Sequence, residues 1–337
     1  MGFTGTGLWA DVLEVPGALT TTLEAAEGVA EAAALLRGED VARVVAVGNG
    51  AAYYVAHALW LASLESSADA GPSLVAVPCG VAVGDRFRWR TGDAVLAISS
   101  SGEFRDVVEI ARRGRARWCV AITADASSSL ARAATTTVLQ HVDSQRAVTH
   151  TQALCGAYAI GLALWAAVAG DDDLRAVADA VPEAAARAIA LAEEWAPDAL
   201  DGRTPPVAAV AAGGGTAWAA ALELALMLKE IARVPAEGVE TREGATSAMF
   251  GLDSGHLMVS LDPAGDRLGD EALRLCAATG ADTLQLPSLA GADPRLAPIT
   301  TLPASAALAA QLALAGGHDV DHPTWTNAYH ATARSAT

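Results

Sequence analysis

The sequence predicts an α/β protein made of two parallel sheets, each flanked by helices, and three observations carry that prediction. Short β-branched and apolar runs alternate with helical runs through both halves of the chain, as parallel strands joined by crossover helices require. Turns of small residues close strands and open helices at Gly48-Asn49-Gly50, at Ser99-Ser100-Ser101-Gly102 and at Gly213-Gly214-Gly215. The order strand, glycine turn, helix recurs in the second half, so two similar α/β domains are the economical reading.

Residues 42–48 read as a Val- and Ala-rich strand ending in Gly48, and 51–64 as the helix that follows. Strands are expected at 73–78 and 93–99; the second breaks into three serines before an acidic helix start, with a helix at 105–113. A strand at 118–123, a helix at 129–134, a strand at 137–140 and a long helix from about Thr151 complete the first half. The run 153–170 is long and apolar enough to raise a membrane helix, but it is alanine-rich and solitary, and it reads as a buried core helix. A charged break at 171–174 leads into a connecting helix over 176–195. Pro205-Pro206 opens the second round: strand 207–212, helix 217–231, a strand near 257–261, helix 271–277, strand 283–286 and helix 304–314. The expected domains are 1–171 with an N-terminal helix, a connecting helix at 172–198, and 199–337 with a C-terminal tail.

With 337 residues, 52% of them hydrophobic, the chain can bury a substantial core. Its net charge of −17, with only 22 Lys and Arg, argues against a nucleic-acid partner. The cysteines Cys79, Cys119, Cys155 and Cys276 lie far apart without a CxxC pair. They read as buried reduced thiols of a cytoplasmic protein rather than a disulfide framework or zinc site. No basic stretch followed by an apolar core marks residues 1–10 as a signal peptide.

The serine turn is the first candidate site, because serine hydroxyls and backbone N–H groups at a strand-to-helix junction can cradle an anion or a sugar. Gly48-Asn49-Gly50 calls for a dinucleotide fold to be considered, but no third glycine follows and no acidic residue ends the strand at 73–78. Gly213-Gly214-Gly215 reads as a tight turn. No P-loop lysine, HExxH pair or GxSxG elbow occurs. The second candidate is the run 221–244, with Glu223 and Glu230 seven residues apart and so on one helix face. Burial would raise the pKa of Glu230 toward that of a useful base; pairing with Lys229 or Arg233 at the surface is the equal alternative.

These segments carry a resemblance. SSSGEFRDV resembles the SQSGETxDT signature of the sugar isomerase (SIS) domain family, GNGAAYYVAHA its GxGxSYxAA turn, VTHTQAL its VASTKxx loop and HDVDHP its DxDxP tail. ALELALMLKEIARVPAEG resembles the ALEGALKLKEISYIHAEA segment of the double-SIS isomerase module of glucosamine-6-phosphate synthase, and the likeness runs from Leu35 to Pro323. It implies two tandem flavodoxin-like SIS domains, each a five-stranded parallel sheet, and a site assembled by two domains or by two chains of a homodimer. It further implies that Glu230 moves a proton between C1 and C2 of an open-chain sugar and that Glu223 is a second active-site carboxylate.

Departures from the family fall on both binding and chemistry. Gly50 leads into Ala51 and Ala52 where the family has hydroxyls, and the threonine position of the serine loop is Phe104. Ser99, Ser100 and Ser101 remain, which makes the pocket less suited to phosphate. The ring-opening histidine is Thr246, and three family lysines become Met227, Gln152 and Ala328. His150, in the loop that begins at Val148, and His322 and His330 in the tail could supply acid–base function instead, though a loop histidine is more often structural.

The expected function is enzymatic: isomerisation of a sugar or aminosugar, phosphorylated or not, or the related deglycase reaction on a fructosamine-type adduct. Glu230, Glu223, His150 and His322 are the candidate catalytic residues; Gly50, Ala51, Ala52, Ser99, Ser100, Ser101, Val148 and Thr246 would bind substrate. No metal or organic cofactor, nucleic acid or membrane is expected, because an enediol can be stabilised by hydrogen bonds. Alternatives are a biosynthetic enzyme reading a carboxylated or phosphate-free substrate through Arg105, Arg146 or His150, and a sugar-binding regulator without turnover. Glutamine-dependent amination is not expected from this chain alone, which starts Met1-Gly2 where the resembled synthase carries a glutaminase domain with an N-terminal cysteine.

Overall fold

The computed structural model describes residues 2–66, 71–143 and 145–334, with the backbone alone for Thr326, Tyr329 and His330. The chain opens with α1 (Gly7–Glu24) and α2 (Val29–Leu36). It then alternates through β1 (Arg43–Gly48), α3 (Ala51–Leu64), β2 (Ser73–Pro78), the single turn α4 (Cys79–Ala82), β3 (Asp93–Ile98), α5 (Arg105–Arg113), β4 (Cys119–Thr123), α6 (Ser129–Ala133) and β5 (Thr136–Leu139). Two long helices follow, α7 (Thr151–Ala169) and α8 (Asp172–Leu200). The second round runs β6 (Ala209–Gly213), α9 (Thr216–Glu230), β7 (Ala236–Glu240), α10 (Thr241–Gly244), β8 (Leu257–Ser260), α11 (Arg267–Ala278) and β9 (Asp282–Gln285). The helices α12 (Ala297–Thr300), α13 (Leu302–Ala315) and α14 (Asn327–Ala333) complete it.

Strands β1 to β5 form one parallel sheet in the order β2-β1-β3-β4-β5, and β6 to β9 another in the order β7-β6-β8-β9. The chain divides into two compact units, neither continuous in sequence. One comprises Gly17–Asp143, Gln152–Val181 and Trp325–Thr337 and holds the five-stranded sheet; the other comprises Met1–Pro16, Ser144–Thr151 and Pro182–Thr324 and holds the four-stranded sheet.

In the first sheet β3 and β4 are buried at every position, which is why they read as unbroken apolar runs. Val45, Val47, Val95 and Ala97 meet Val107, Val108 and Ile110 of α5 on one face. Each such side chain contributes about 1.5–3 kcal/mol when fully buried. Asp93, buried at the start of β3, is held by both nitrogens of the Arg43 fork at 2.9 and 2.7 Å. In the second unit Val210, Ala212 and Met258 pack on Ala272 and Cys276 of α11. Helix α13 is buried along nearly its whole length and packs on α9.

Helices α3 and α5 start and end where the residue pattern puts them, and most strands fall within two residues of expectation. Strand β7 is not among the expected strands: in Ala236-Glu237-Gly238-Val239-Glu240, at a sheet edge, only Val239 is buried. The connecting helix is longer than 176–195, since Asp172 and Asp173 in its first turn complement the helix dipole. Among the described residues the second sheet has four strands, where five were implied. Beyond β9 the chain meets Pro287, Gly291 and Pro294, and proline cannot donate to a ladder. The chain instead turns through a short 3-10 helix into α12. The apolar run 153–170 forms α7, a buried core helix as expected. It and the stretch Pro294–Ala315 are long and apolar enough to cross a membrane but lie mostly inside the protein. All four cysteines are buried and none is in a disulfide.

Candidate functional site

Helix α9 is built from Ala, Leu and Met, strong helix formers. It starts after Gly215, whose backbone (φ 53°, ψ −135°) suits glycine. A Cβ at Gly213 would lie 2.5 Å from the Ala217 carbonyl oxygen, and one at Gly238 of β7 2.6 Å from the Leu222 backbone, so both glycines allow close approach to the helix. Glu223 and Glu230 sit on this helix about 10 Å apart along its axis. Glu223 is 7% exposed, and its Oε2 has no hydrogen-bond partner among the described residues. Burial, with the nearby Glu230 charge adding to it, pushes its pKa up to about 8. Glu230 is half-buried at the helix end; burial raises its pKa too, against the lowering effect of a hydrogen bond from the Thr149 hydroxyl at 3.4 Å.

Thr149 reaches Glu230 because the segment before α7 is fixed by the buried Asp11 and the half-buried Asp321. Asp11 of α1 accepts from the Arg146 and Ala147 amides at 2.8 and 2.9 Å and from the Arg146 guanidinium at 2.9 Å. Glu14 takes the other face of that guanidinium. Asp321 caps α1 by accepting from the Gly7 and Leu8 amides, both at 2.8 Å, and its carbonyl accepts from the Val148 amide at 2.9 Å. The loop, the tail and the start of α1 thus form one network ending at Glu230. Arg146 is a structural member of it rather than a free reader of substrate.

Thr149, Asp11 and Asp321 are the members of this network that sequence reasoning did not single out; the signals were that Thr149 lies inside the VTHTQAL motif and Asp321 inside HDVDHP. Val148 is half-buried, and His150, next to Thr149, is exposed. His322 is exposed and its amide donates to Asp319. Thr246 is exposed, with its hydroxyl bonded to the Glu243 carbonyl. The His330 side chain lies outside the described residues. Gln152 is buried and accepts from the Asp143 amide, which ties down the loop.

The other unit brings Gly50, Ala51 and Ala52 beside Ser99, Ser100 and Ser101, at the carboxyl ends of the paired strands β1 and β3. This is where the strand order reverses, the place at which open parallel sheets bind ligands. Gly50 takes φ 53° and ψ −130°, nearly the conformation of Gly215, so the two strand-to-helix turns repeat each other in backbone shape. The Ser99 and Ser101 oxygens accept from the Gly102 and Glu103 amides at 3.1 and 3.3 Å, while the Ser100 carbonyl accepts from the Thr123 hydroxyl and the Ala124 amide. Each serine oxygen that accepts in this way still has its O–H to donate. Gly102 (φ +63°) leaves no room for a side chain, since a Cβ would meet Ser128 Oγ at 2.2 Å. Arg105 lies at the surface against Asp106.

The matching place in the second sheet is already filled. Asp262, 5% exposed, accepts from the Gly214 amide at 2.6 Å and the Thr241 hydroxyl at 2.5 Å. A carboxylate of the protein itself therefore occupies one donor of that turn, the Gly214 amide. Burial raises the Asp262 pKa while these two hydrogen bonds lower it. Among the described residues no group of three or more His, Cys, Asp or Glu side chains is arranged to hold a metal ion.

No family model matches the chain. It is 26% identical over 350 residues to a glutamine–fructose-6-phosphate aminotransferase of Aeropyrum pernix; the match takes in 93% of this chain and 55% of that one, so the chain spans about half the length of this curated relative. Among solved structures, a candidate phosphosugar isomerase from Silicibacter pomeroyi matches with a TM-score of 0.77 and 26% identity, over 94% of this chain and 100% of the other. The C-terminal domain of the glucosamine-fructose-6-phosphate aminotransferase of Francisella tularensis matches with a TM-score of 0.78 and 18% identity, over 94% and 98%. In both sequence and fold, then, the likeness extends over both halves of the chain, and what the chain resembles are the double sugar isomerase (SIS) domain proteins.

Proposed function

We propose that this protein is an aldose–ketose isomerase of the SIS family, or an enzyme of the related deglycase type, acting on an open-chain sugar or aminosugar derivative through Glu230. The observation that carries the reading is Glu230 itself. It is a half-buried carboxylate that accepts from the Thr149 hydroxyl, with a second carboxyl, Glu223, on the same helix and Met227 one turn beyond it. Removing a proton from the carbon beside a carbonyl or imine needs a base that is ionised yet weakly solvated, and burial at Glu230 supplies that balance. Glu230 takes the proton, the C–H electron pair becomes a C=C bond as the carbonyl π pair moves onto oxygen to give an enediolate, a proton passes from the neighbouring hydroxyl to that oxygen, and return of the Glu230 proton to the former carbonyl carbon leaves the new C=O at its neighbour. In the other unit, the hydroxyls of Ser99, Ser100 and Ser101 suit a hydroxylated or anionic group of a sugar derivative. Ala51, Ala52 and Phe104 offer none of the side-chain hydroxyls that would strengthen a phosphate site, each worth about 1.5–3 kcal/mol to a charged group. A phosphate-free or weakly held phosphorylated substrate follows, and a homodimer belongs to the same reading.

A second reading, a sugar-binding regulator without turnover, is favoured by Thr246, a threonine bonded to the Glu243 carbonyl at the position where the family resemblance places a histidine. NMR of the protein in D2O with phosphorylated and free hexoses, hexosamines and fructosamines separates the two. Deuterium is expected at C1 or C2 of one sugar and should fall about 10²–10⁴-fold in Glu230→Gln. Exchange at the wild-type rate in that variant would remove Glu230 as the base. Binding of a sugar with no exchange in the wild type would move the protein to the regulatory reading.

A further inference from the structure

We infer that Glu223 is held as a neutral carboxylic acid at neutral pH, so that the Glu223–Glu230 pair binds one proton and Glu230 alone carries the negative charge. Glu223 would then be a positioning residue that sets the charge state in which the base works. The inference deepens the proposed function and, for its catalytic consequence, rests on it.

The argument starts from the surroundings of the side chain. Glu223 lies on a helix face with Ala219, Ala220 and Met227, all nearly or fully buried, and Oε2 has no hydrogen-bond donor among the described residues. An ionised carboxylate needs such donors or a paired cation, while a neutral acid tolerates an apolar site far better. One helical turn on, where the family resemblance implies a lysine, stands Met227, with no exposed surface. Of the elements packed on α9, β6, α12 and α13 carry no titratable side chain, and β7 carries only Glu237 and Glu240. The short 3-10 helix before α12 carries Arg295, which is bonded to Asp293. On α9 itself Lys229 is exposed, and Glu230 is the one charge that acts on Glu223, raising its pKa further. The proton stays on Glu223 rather than Glu230 because Glu230 is less buried and has the Thr149 hydroxyl as a donor. Two carboxylates on one face cannot both ionise cheaply, so the environments divide the roles.

The test is carboxyl 13C NMR of glutamate-labelled protein without ligand, followed through pH. One glutamate carboxyl is expected to titrate at about 8. That signal should be absent from Glu223→Gln and should return to the ordinary carboxylate range in Met227→Lys, where the new ammonium supplies a counter-charge. If every glutamate titrates in the ordinary range in the wild type, or if the high signal survives in Glu223→Gln, the inference fails. The wild-type titration alone decides should either variant not fold. With a turned-over sugar, kcat/KM should fall as pH rises through the same value, and Glu223→Gln should flatten that limb. Loss of the base reading is visible separately, as deuterium exchange that persists in Glu230→Gln whatever Glu223 does.

Discussion

Glu223 weakens the fold wherever it would prefer to ionise. A carboxyl whose pKa is raised in the folded state holds a proton that the unfolded chain has already released, so stability falls as pH climbs between the two values. For Glu223 that window runs from 4.5 to about 8. Below it the group costs nothing by this route; above it the full penalty applies, on the order of a few kcal/mol at 1.36 kcal/mol per pH unit. Glu223→Gln keeps the shape and removes the titration. Its urea stability should match the wild type in acid and exceed it by about 2–4 kcal/mol above the window. A variant whose stability declines with pH as steeply as the wild type would show that some other group carries the slope.

Between a side chain and the fold stand the turns and the loop that present the site. Gly102 sits in the left-handed region with Ser128 against it, so Gly102→Ala combines backbone strain of about 1–2 kcal/mol with overpacking of about 1–3. A loss of about 2–5 kcal/mol by chemical denaturation, together with weaker sugar binding, is the expected result; unchanged stability would mean that the turn is softer than its geometry. Asp11→Ala would strip the Arg146 and Ala147 amides of their acceptor, at about 1–3 kcal/mol for each donor left buried. It should also slow the reaction by about the same factor as Thr149→Val if its effect runs through the loop, and activity equal to wild type in a folded Asp11→Ala would rule that out. The α9 helix, its two glutamates and both glycine turns could be read from sequence, because they are local: spacing on a helix and glycine at a junction are written in consecutive residues. Asp11 and Asp321 could not, since their partners lie 135 and 313 residues away or nearly so. Val148 and His150 were singled out by motif, but the direction of the hydroxyl between them depends on that long-range network. The charged edge strand β7 escaped because edge positions bury little, so hydrophobic periodicity does not report them.

At the scale of the molecule, the feature that matters is the discontinuity of each compact unit. The four-stranded sheet, with Glu223 and Glu230 on α9, shares its unit with Met1–Pro16 and Ser144–Thr151, and these distant segments supply named bonds. Asp321 needs the Gly7 and Leu8 amides, its carbonyl takes the Val148 amide, and Glu230 takes the Thr149 hydroxyl. A fragment 199–337 would retain all four strands yet lose every one of these partners, along with the part of α8 that belongs to the same unit. Capping a helix is worth about 1 kcal/mol and each buried amide or carboxylate left unpaired costs about 1–3, so the sum rivals the whole margin of about 5–15 kcal/mol by which domains are stable. The fragment is therefore expected to keep helical circular dichroism but to melt without a sharp transition. Co-expression with residues 1–198 should restore cooperative melting. A fragment 199–337 that melts as sharply as the intact chain would show that the sheet and α9 hold themselves together and that the long-range bonds serve only to place Thr149.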